Sequence, residues 1–292
     1  MVEEFLNYLR FEKNRSEQTA RSYAADLEVF ERYFNSLDAS LSWKSVDSDV
    51  IRGWMESMVD KGNSAASVNR RLSSLRSFYR YALSRQKVSC DPLQVINGLK
   101  KKKTLPYFLK ESEMDTLLDE VSWGENFEDV RARTILMVFY ETGIRLSELT
   151  GLDDSSVSLE NNQLKVLGKR NKQRIIPFGE ELRDAFLKYI RLRTSEIERV
   201  DDAFFVTCKG VRMSNAQVRT EVKKHLQRVS ALKKLSPHVL RHSFATVMLN
   251  GEAGLESVKK LLGHKSLTTT EIYTHTTFEQ LKKVYKNAHP RE

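Results

Sequence analysis

The amino-acid sequence predicts a mainly helical protein with a small antiparallel β-sheet, organised as two domains. Apolar residues recur at helical spacing through the first hundred residues and again from about Glu180 onward. Between these regions, two short apolar segments within residues 164–176 have the pattern of a β-hairpin. Four consecutive lysines, residues 100–103, repel one another and are typical of a linker rather than of a buried core.

Length and composition exclude several classes of protein. The chain has 292 residues, enough for two domains of ordinary size, and its 40% hydrophobic content excludes collagen-like and wholly disordered chains. Its longest apolar run, Ile135 to Tyr140, is far shorter than the roughly 18 residues of a membrane-spanning helix. The first residues lack the pattern of a secretory signal. Because two cysteines cannot form a disulfide framework, we expect a cytoplasmic protein that does not contact membranes.

The first hundred residues contain two amphipathic helical patterns. Ser16 is a candidate N-cap for the first of them. The second carries several arginines between its apolar positions, and we expect that basic side to face solvent or phosphates. Asp91-Pro92 ends the helical region, because a residue before proline disfavours helix. The two apolar stripes are Tyr23, Leu27, Phe30 and Phe34, and then Val68, Leu72, Leu75, Tyr79 and Ala82.

The second region mixes helix and strand. Helical spacing is found over residues 111–120 and 130–140. Two β-like segments, one with Leu164 and Val166 and the other with Ile175 and Ile176, flank a polar turn at residues 168–172. We therefore expect a helical domain over residues 1–98, a basic linker over 99–106 and a second domain over 107–292.

Positive charge points to a polyanionic partner. The formal net charge is +9, with 48 basic and 39 acidic residues. Between Val206 and Arg241, nine basic residues accompany the single acid Glu221. Such a field attracts nucleic acid, whose counterions are released on binding. The same composition also fits a well-solvated helical face, so composition alone makes nucleic acid only a candidate partner.

Four short segments carry the functional signal. They are ETGIRLSEL at residues 141–149, GKRNKQR at 168–174, PHVLRHSFAT at 237–246 and LLGHKSLTTTEIYTH at 261–275. Each allows a plain structural explanation when taken alone. Arg145 and Glu148 are spaced for an ordinary helical ion pair. The basic residues of the second segment, Arg174 among them, could be solvated or could contact phosphates nonspecifically. The sequence contains neither a P-loop nor zinc-binding spacing, so we expect no cofactor and no metal.

Together, in this order and spacing, the four segments resemble the tyrosine recombinases, also called phage integrases. The Thr19…Tyr23…Asp26-Leu27 helix resembles that family's core-binding domain, and the compact layout ending in His289-Pro290-Arg291 is most similar to the Xer branch. The resemblance implies a two-domain DNA clamp, in which a SAM-like core-binding domain is joined to an α/β catalytic domain. It also implies that the C-terminal tail, which begins near Phe278, docks into a neighbouring protomer.

The resemblance implies six catalytic residues: Arg145, Lys169, His238, Arg241, His264 and the nucleophile Tyr273. Arg145 and Arg241 would clamp the scissile phosphate, since a guanidinium fork matches two phosphate oxygens. His238 and Arg241, at i and i+3, share one helix face. The tyrosine would form a 3′-phosphotyrosyl bond, with Lys169 protonating the leaving 5′-oxygen and His238 relaying the nucleophile's proton. His264 would hydrogen-bond the phosphate or orient the tyrosine.

The partners implied are double-stranded DNA with a specific recombination site, a homo- or hetero-tetramer on that DNA, and a septum-associated DNA translocase. Strand exchange would pass through a Holliday junction near the nucleoid. Two other functions fit parts of the pattern, namely a type IB topoisomerase and an architectural DNA-binding protein without catalysis. The sequence leaves open the target site, and it does not separate chromosome dimer resolution from integration or inversion of a mobile element.

Overall fold

A computed structural model of the chain describes residues 1–100, 107–168, 173–251, 254–263 and 284–291. The polypeptide forms two compact units, Met1–Thr104 and Leu105–Glu292, and each has its own apolar core. Over the part of the chain that the structure describes, no helix combines the length and the apolar character that crossing a membrane requires.

Within residues 1–100, the regular elements of the N-terminal unit are helices. The side chain of Ser16 accepts a hydrogen bond from the backbone N–H of Thr19 and caps the second helix, as predicted. From the predicted stripe on this helix, Leu27, Phe30 and Phe34 are buried in the core. The helices are α1 Val2–Asn7, continued by a π-helical turn Tyr8–Glu12, α2 Glu17–Leu37, α3 Ser48–Asp60 and α4 Ala65–Ser84.

Helix α4 buries its predicted apolar stripe, but several of its arginines, Arg70 and Arg76 among them, bond within the N-terminal unit. Arg70 donates hydrogen bonds of 2.5 and 2.6 Å to the carboxylate of Asp26, which is 4% exposed. Arg76 donates a 2.7 Å bond to the carbonyl oxygen of Ile96. A buried carboxylate requires a paired cation, because desolvating an unpaired charge is costly. The basic face of α4 is therefore partly occupied by structural bonds.

The C-terminal unit combines helices with a small sheet, which confirms the predicted fold class. Its helices are α5 Glu111–Asp115, continued by a π-helical turn Thr116–Glu120, α6 Phe127–Thr142, α7 Leu146–Thr150, α8 Glu180–Glu196, α9 Asn215–Leu226, α10 Pro237–Asn250 and α11 Leu255–Leu262. Its strands are β1 Val157–Ser158, β2 Gln163–Leu167 and β3 Gln173–Pro177. A further helical turn spans residues 284–288.

The sheet is antiparallel, in the order β1-β2-β3. Leu164 pairs with Ile176 and Val166 pairs with Arg174, and all four of these residues are buried. The two arms of the predicted hairpin are thus confirmed. Its connection at residues 169–172 lies outside the described residues.

Helix α6 forms the centre of the C-terminal unit and packs against α8 and α10. The apolar run Ile135 to Tyr140, the longest in the sequence, is at most 1% exposed along its length. The helix ends at Gly143, which has a φ of +59°. A Cβ atom at this position would clash with the ring of Phe244, so the turn requires glycine. This turn leads the chain to Arg145 and α7.

The last described residues, 284–291, pack onto the C-terminal unit of the same chain. Tyr285 is buried, and its ring stacks on His289 with centroids 5.2 Å apart. Arg291 donates hydrogen bonds to three carboxylates, those of Asp115, Asp119 and Glu181. Docking of the tail into a neighbouring protomer remains a prediction, since residues 264–283 lie outside the described residues.

Candidate active site

Arg145 lies at the start of α7, two residues after the Gly143 turn. Its backbone N–H donates a 2.7 Å hydrogen bond to Oε2 of Glu148, and its Nη1 donates a 2.8 Å bond to Oε1. The ion pair that the i,i+3 spacing allows is therefore formed, and it caps the helix as well. The Arg145 side chain is 29% exposed, so the guanidinium still reaches solvent on one side.

Glu148 is also bound by Arg174 of strand β3. The two guanidinium nitrogens of Arg174 donate bonds of 2.8 and 2.9 Å to the two carboxylate oxygens, in a bidentate fork. Burial by itself would raise the pKa of Glu148, but the hydrogen bonds and charges of Arg174 and Arg145 hold this pKa at about 2. The Glu148 carboxylate is therefore a permanent anion at neutral pH.

Arg174 is therefore bonded within the protein and is not a nonspecific phosphate contact. Its side chain is 6% exposed and all three of its nitrogens bond to protein oxygens. Sequence reasoning missed the pairing of Arg174 with Glu148. The only local signal was the position of Glu148 three residues after Arg145.

Helix α10 carries His238 and Arg241, which lie in its first turns after Pro237. His238 is exposed, whereas Arg241 is 6% exposed. Arg241 donates one hydrogen bond to the carbonyl oxygen of Gly143 and one of 2.6 Å to that of Leu262. Burial and then the positive charge of Arg145 lower the pKa of Arg241 to about 10, so the group remains a cation at neutral pH.

A cleft of about 500 Å³ brings these side chains together. Arg145 lies at the start of α7, whereas His238 and Arg241 come from α10, and all three line this cleft. Asn215 and Arg219 of helix α9 line the cleft as well. The structure therefore assembles three of the six predicted catalytic residues in one place. The other three, Lys169, His264 and Tyr273, lie outside the described residues.

Three arginines converge on the last turn of α11. Arg174 donates a 2.9 Å bond to the carbonyl oxygen of Leu261, Arg241 bonds to that of Leu262, and Arg145 donates a 3.0 Å bond to that of Gly263. The final carbonyls of a helix lack partners within the helix, and cations are favourable there. His264 follows directly in the sequence, so the arginines hold the backbone from which its segment departs.

The cleft is suited to binding a phosphate group. Arg145 and Arg241 each use two of their five N–H groups in the bonds described, which leaves donors for two phosphate oxygens. His238 is placed on the same helix face as Arg241, and an imidazole can both accept and donate a proton. Among the described residues, no group of three His, Cys, Asp or Glu side chains is positioned to hold a metal ion.

Comparison with known families gives the class of this protein. The family described as "Phage integrase, N-terminal SAM-like domain" matches residues 2–86, within the N-terminal unit, and the "Phage integrase family" matches residues 107–280, which include the cleft. Such a pair of domains defines an enzyme that cleaves and rejoins DNA strands. The chain belongs to the phage integrase family, and its full-length likeness places it with the Xer-type site-specific tyrosine recombinases.

Two curated relatives match over nearly their whole length. The tyrosine recombinase XerC of Thermodesulfovibrio yellowstonii is 37% identical, over 99% of this chain and 96% of the relative. The tyrosine recombinase XerD of Oceanobacillus iheyensis is 36% identical, over 99% of this chain and 98% of the relative. Among solved structures, XerH recombinase bound to palindromic difH DNA shares the fold, with a TM-score of 0.72 over 97% of this chain and 83% of that one, at 23% identity. Family membership thus favours the recombinase over the topoisomerase and the inactive architectural protein.

Proposed function

We propose that this recombinase cleaves one DNA strand at a time with Tyr273 as the nucleophile and forms a 3′-phosphotyrosyl intermediate. The observation that supports the proposal is the convergence of Arg145, His238 and Arg241 in one cleft. Two cations and a proton-transfer group, brought together from the start of α7 and from α10, are what attack on a phosphodiester requires.

The described residues have distinct roles in this proposal. Arg145 and Arg241 bind the two non-bridging oxygens of the scissile phosphate, whose negative charge increases in the pentacoordinate transition state. They therefore stabilise the transition state more than the ground state. Their internal bonds to Glu148, Gly143 and the end of α11 hold both guanidinium groups in place before DNA arrives.

Each proton that moves in the cleavage step has a donor and an acceptor. The phenolic oxygen of Tyr273 bonds to phosphorus as the bond from phosphorus to the 5′-oxygen breaks. His238 takes the tyrosine's proton, and Lys169 gives a proton to the leaving 5′-oxygen. His264 hydrogen-bonds the phosphate or orients the tyrosine. Attack by a 5′-hydroxyl of the partner DNA reverses these steps and rejoins the strand. The roles of Lys169, His264 and Tyr273 rest on the family resemblance.

The proposal extends to the assembly. Residues 1–98 and 107–292 bind DNA as two domains joined by the linker 99–106, and four protomers, of one or two kinds of chain, hold two recombination sites through a Holliday junction. In the assembled tetramer the tail from Phe278 onward docks in the neighbouring protomer, which requires residues 284–291 to leave the packing that they make on their own unit. Its deletion is then expected to weaken cooperative binding to two-site DNA more than binding to one site. This same assembly serves either of two processes. One is chromosome dimer resolution, with a septum-associated DNA translocase as accessory partner, and the other is exchange of a mobile element.

A covalent trapping experiment tests the chemistry. The DNA site is first recovered by enriching a pool of random duplexes on the protein, and it is then prepared as a nicked duplex from which the short cleaved fragment diffuses away. The wild-type chain and the exposed-tyrosine control Tyr107→Phe are expected to form an adduct that survives denaturing electrophoresis. Tyr273→Phe is expected to bind the same DNA and form none. An adduct with Tyr273→Phe would refute the assignment of the nucleophile.

A further inference from the structure

We propose that Arg174 is a positioning residue for DNA cleavage, which sets the guanidinium of Arg145 through the Glu148 carboxylate that both arginines share. This inference rests on the proposed role of Arg145 in binding the scissile phosphate. Arg174 itself is buried beneath the cleft residues rather than among them, because it is absent from the cleft lining and only 6% exposed.

The hydrogen bonds of Glu148 explain why Arg174 controls Arg145. Oε1 accepts from Nη1 of Arg174 and Nη1 of Arg145, and Oε2 accepts from Nη2 of Arg174 and the backbone N–H of Arg145. A carboxylate has about four acceptor sites, so all of them are occupied. The carboxylate is therefore locked in one orientation, and that orientation determines where the Arg145 guanidinium lies.

Arg174 also fixes the backbone that Arg145 touches on its other side. Its Nε donates to the carbonyl oxygen of Leu261, whereas Nη2 of Arg145 donates to that of Gly263, two residues later in the same turn. A Cβ atom at Gly263, whose φ is +62°, would lie 3.3 Å from the Arg174 guanidinium. The buried Arg174 side chain thus binds both partners of the Arg145 guanidinium, namely the Glu148 carboxylate and the backbone at the end of α11.

Lysine cannot replace arginine in this arrangement. The planar guanidinium points two N–H groups at the carboxylate and a third at Leu261, whereas an ammonium group is a single point charge on a flexible stem. Arg174→Lys keeps the charge and loses the fork, and Arg174→Gln loses both. We expect either substitution to leave Glu148 held by Arg145 alone, so that the two side chains can shift together and Arg145 no longer occupies one position.

The test measures covalent-complex formation in a single turnover at saturating protein, on the nicked duplex described above. Arg174→Lys and Arg174→Gln are expected to bind single-site DNA within about 2-fold of wild type, since the residue does not reach the cleft. We expect their cleavage rates to fall about 10–100-fold, the scale of a catalytic group displaced by about 1 Å.

A neutral substrate separates positioning from a general structural role. A methylphosphonate at the scissile position removes one negative oxygen and so needs less charge neutralisation by Arg145. We expect the rate penalty of both Arg174 variants to shrink at least several-fold on this DNA. Partial unfolding of the variants would instead slow cleavage of both DNAs by the same factor. Equal rate penalties on the two DNAs would therefore overturn the inference.

Arg193→Gln is the matched control. Arg193 is 4% exposed, forms a bidentate fork to Asp154 with bonds of 2.7 and 3.1 Å, and also bonds to the carbonyl oxygen of Phe204. None of these residues lines the cleft. This control is expected to lower the melting temperature as the Arg174 variants do, while the cleavage rate per folded molecule stays at the wild-type value. If Arg174→Gln fails to fold, Arg174→Lys carries the same comparison.

The two proposals fail in different ways. If the wild-type chain forms no covalent complex, the proposed function is wrong, and this inference falls with it. If the wild-type chain cleaves DNA and both Arg174 variants cleave it as fast as the wild type, only the inference is wrong.

Discussion

The guanidinium of Arg241 donates a hydrogen bond to the carbonyl oxygen of Gly143, 98 positions earlier in the chain. This bond joins α10 to the turn that ends α6. Because Arg145 follows Gly143 by two residues, the placement of Arg145 and of Arg241 depends on the shape of this one turn.

Replacing Gly143 is expected to destabilise the fold and slow cleavage. In Gly143→Ala, the left-handed backbone costs about 1–2 kcal/mol, and the close contacts of the new methyl group with Phe244 and Leu262 add about 1–3 kcal/mol of overpacking. Gly62→Ala is the matched control, since Gly62 has a φ of +76° and an alanine methyl group there would have nothing within 4 Å. Urea denaturation of the full chain should show the larger loss for Gly143→Ala, and equal losses would contradict the packing argument.

Glu148 is expected to make stability depend on pH in the acid range. Its pKa is about 2 in the folded chain against an ordinary 4.5, so its contribution is complete above pH 4.5 and disappears as the pH falls toward 2. Between pH 5 and pH 3 the wild-type chain should lose about 2 kcal/mol from this group. Glu148→Gln should be less stable at pH 5 by about 3–5 kcal/mol, because two arginines lose their buried partner. Urea denaturation of both proteins should show this difference shrinking as the pH falls, and a constant difference would refute the prediction.

His289 is expected to make stability depend on pH in a higher range than Glu148 does. Burial and the nearby Arg291 cation lower the pKa of His289 to about 4 from 6.5, although its bond to the Tyr140 carbonyl oxygen partly offsets this. The neutral imidazole is the form that the fold accepts, so stability is complete above pH 6.5 and falls as the pH drops toward 4. We expect a loss of about 2 kcal/mol between pH 7 and pH 5. His289→Phe keeps an aromatic ring beside Tyr285 and should abolish this component in the same denaturation experiment; an unchanged pH dependence would exclude His289 as its source.

Arg219 is expected to contact a DNA phosphate. Its side chain is exposed on α9 and lines the same cleft as Arg145. Each phosphate contact contributes about −0.9 to the slope of log K against log salt concentration. Arg219→Gln should therefore reduce the steepness of that slope by about 0.9 in a binding titration. Arg183→Gln, which removes an arginine that pairs with Glu180 and does not line the cleft, should leave the slope unchanged. The same slope in both variants would exclude the contact.

Local sequence patterns were sufficient to predict several of the elements and part of the site. Helical spacing predicted the apolar stripes of α2 and α4, and a Ser at position 16 predicted a cap that the structure contains. Alternating apolar residues predicted the arms β2 and β3 of the hairpin. The i,i+3 spacing of His238 and Arg241 placed both on one helix face, since that geometry depends only on the pitch of a helix.

The sequence by itself therefore determined the family and the order of the two domains, and it singled out Arg145, His238 and Arg241 as candidates for one site. Only the tertiary structure decided that Arg174 binds Glu148, 26 residues away, and Leu261, 87 residues away, rather than facing a phosphate. It likewise decided that Arg241 supports the Gly143 turn. No local pattern encodes such bonds, because a side chain far along the chain becomes a partner only when the packing of α6, α10 and the sheet brings the two backbones together and removes water from between them.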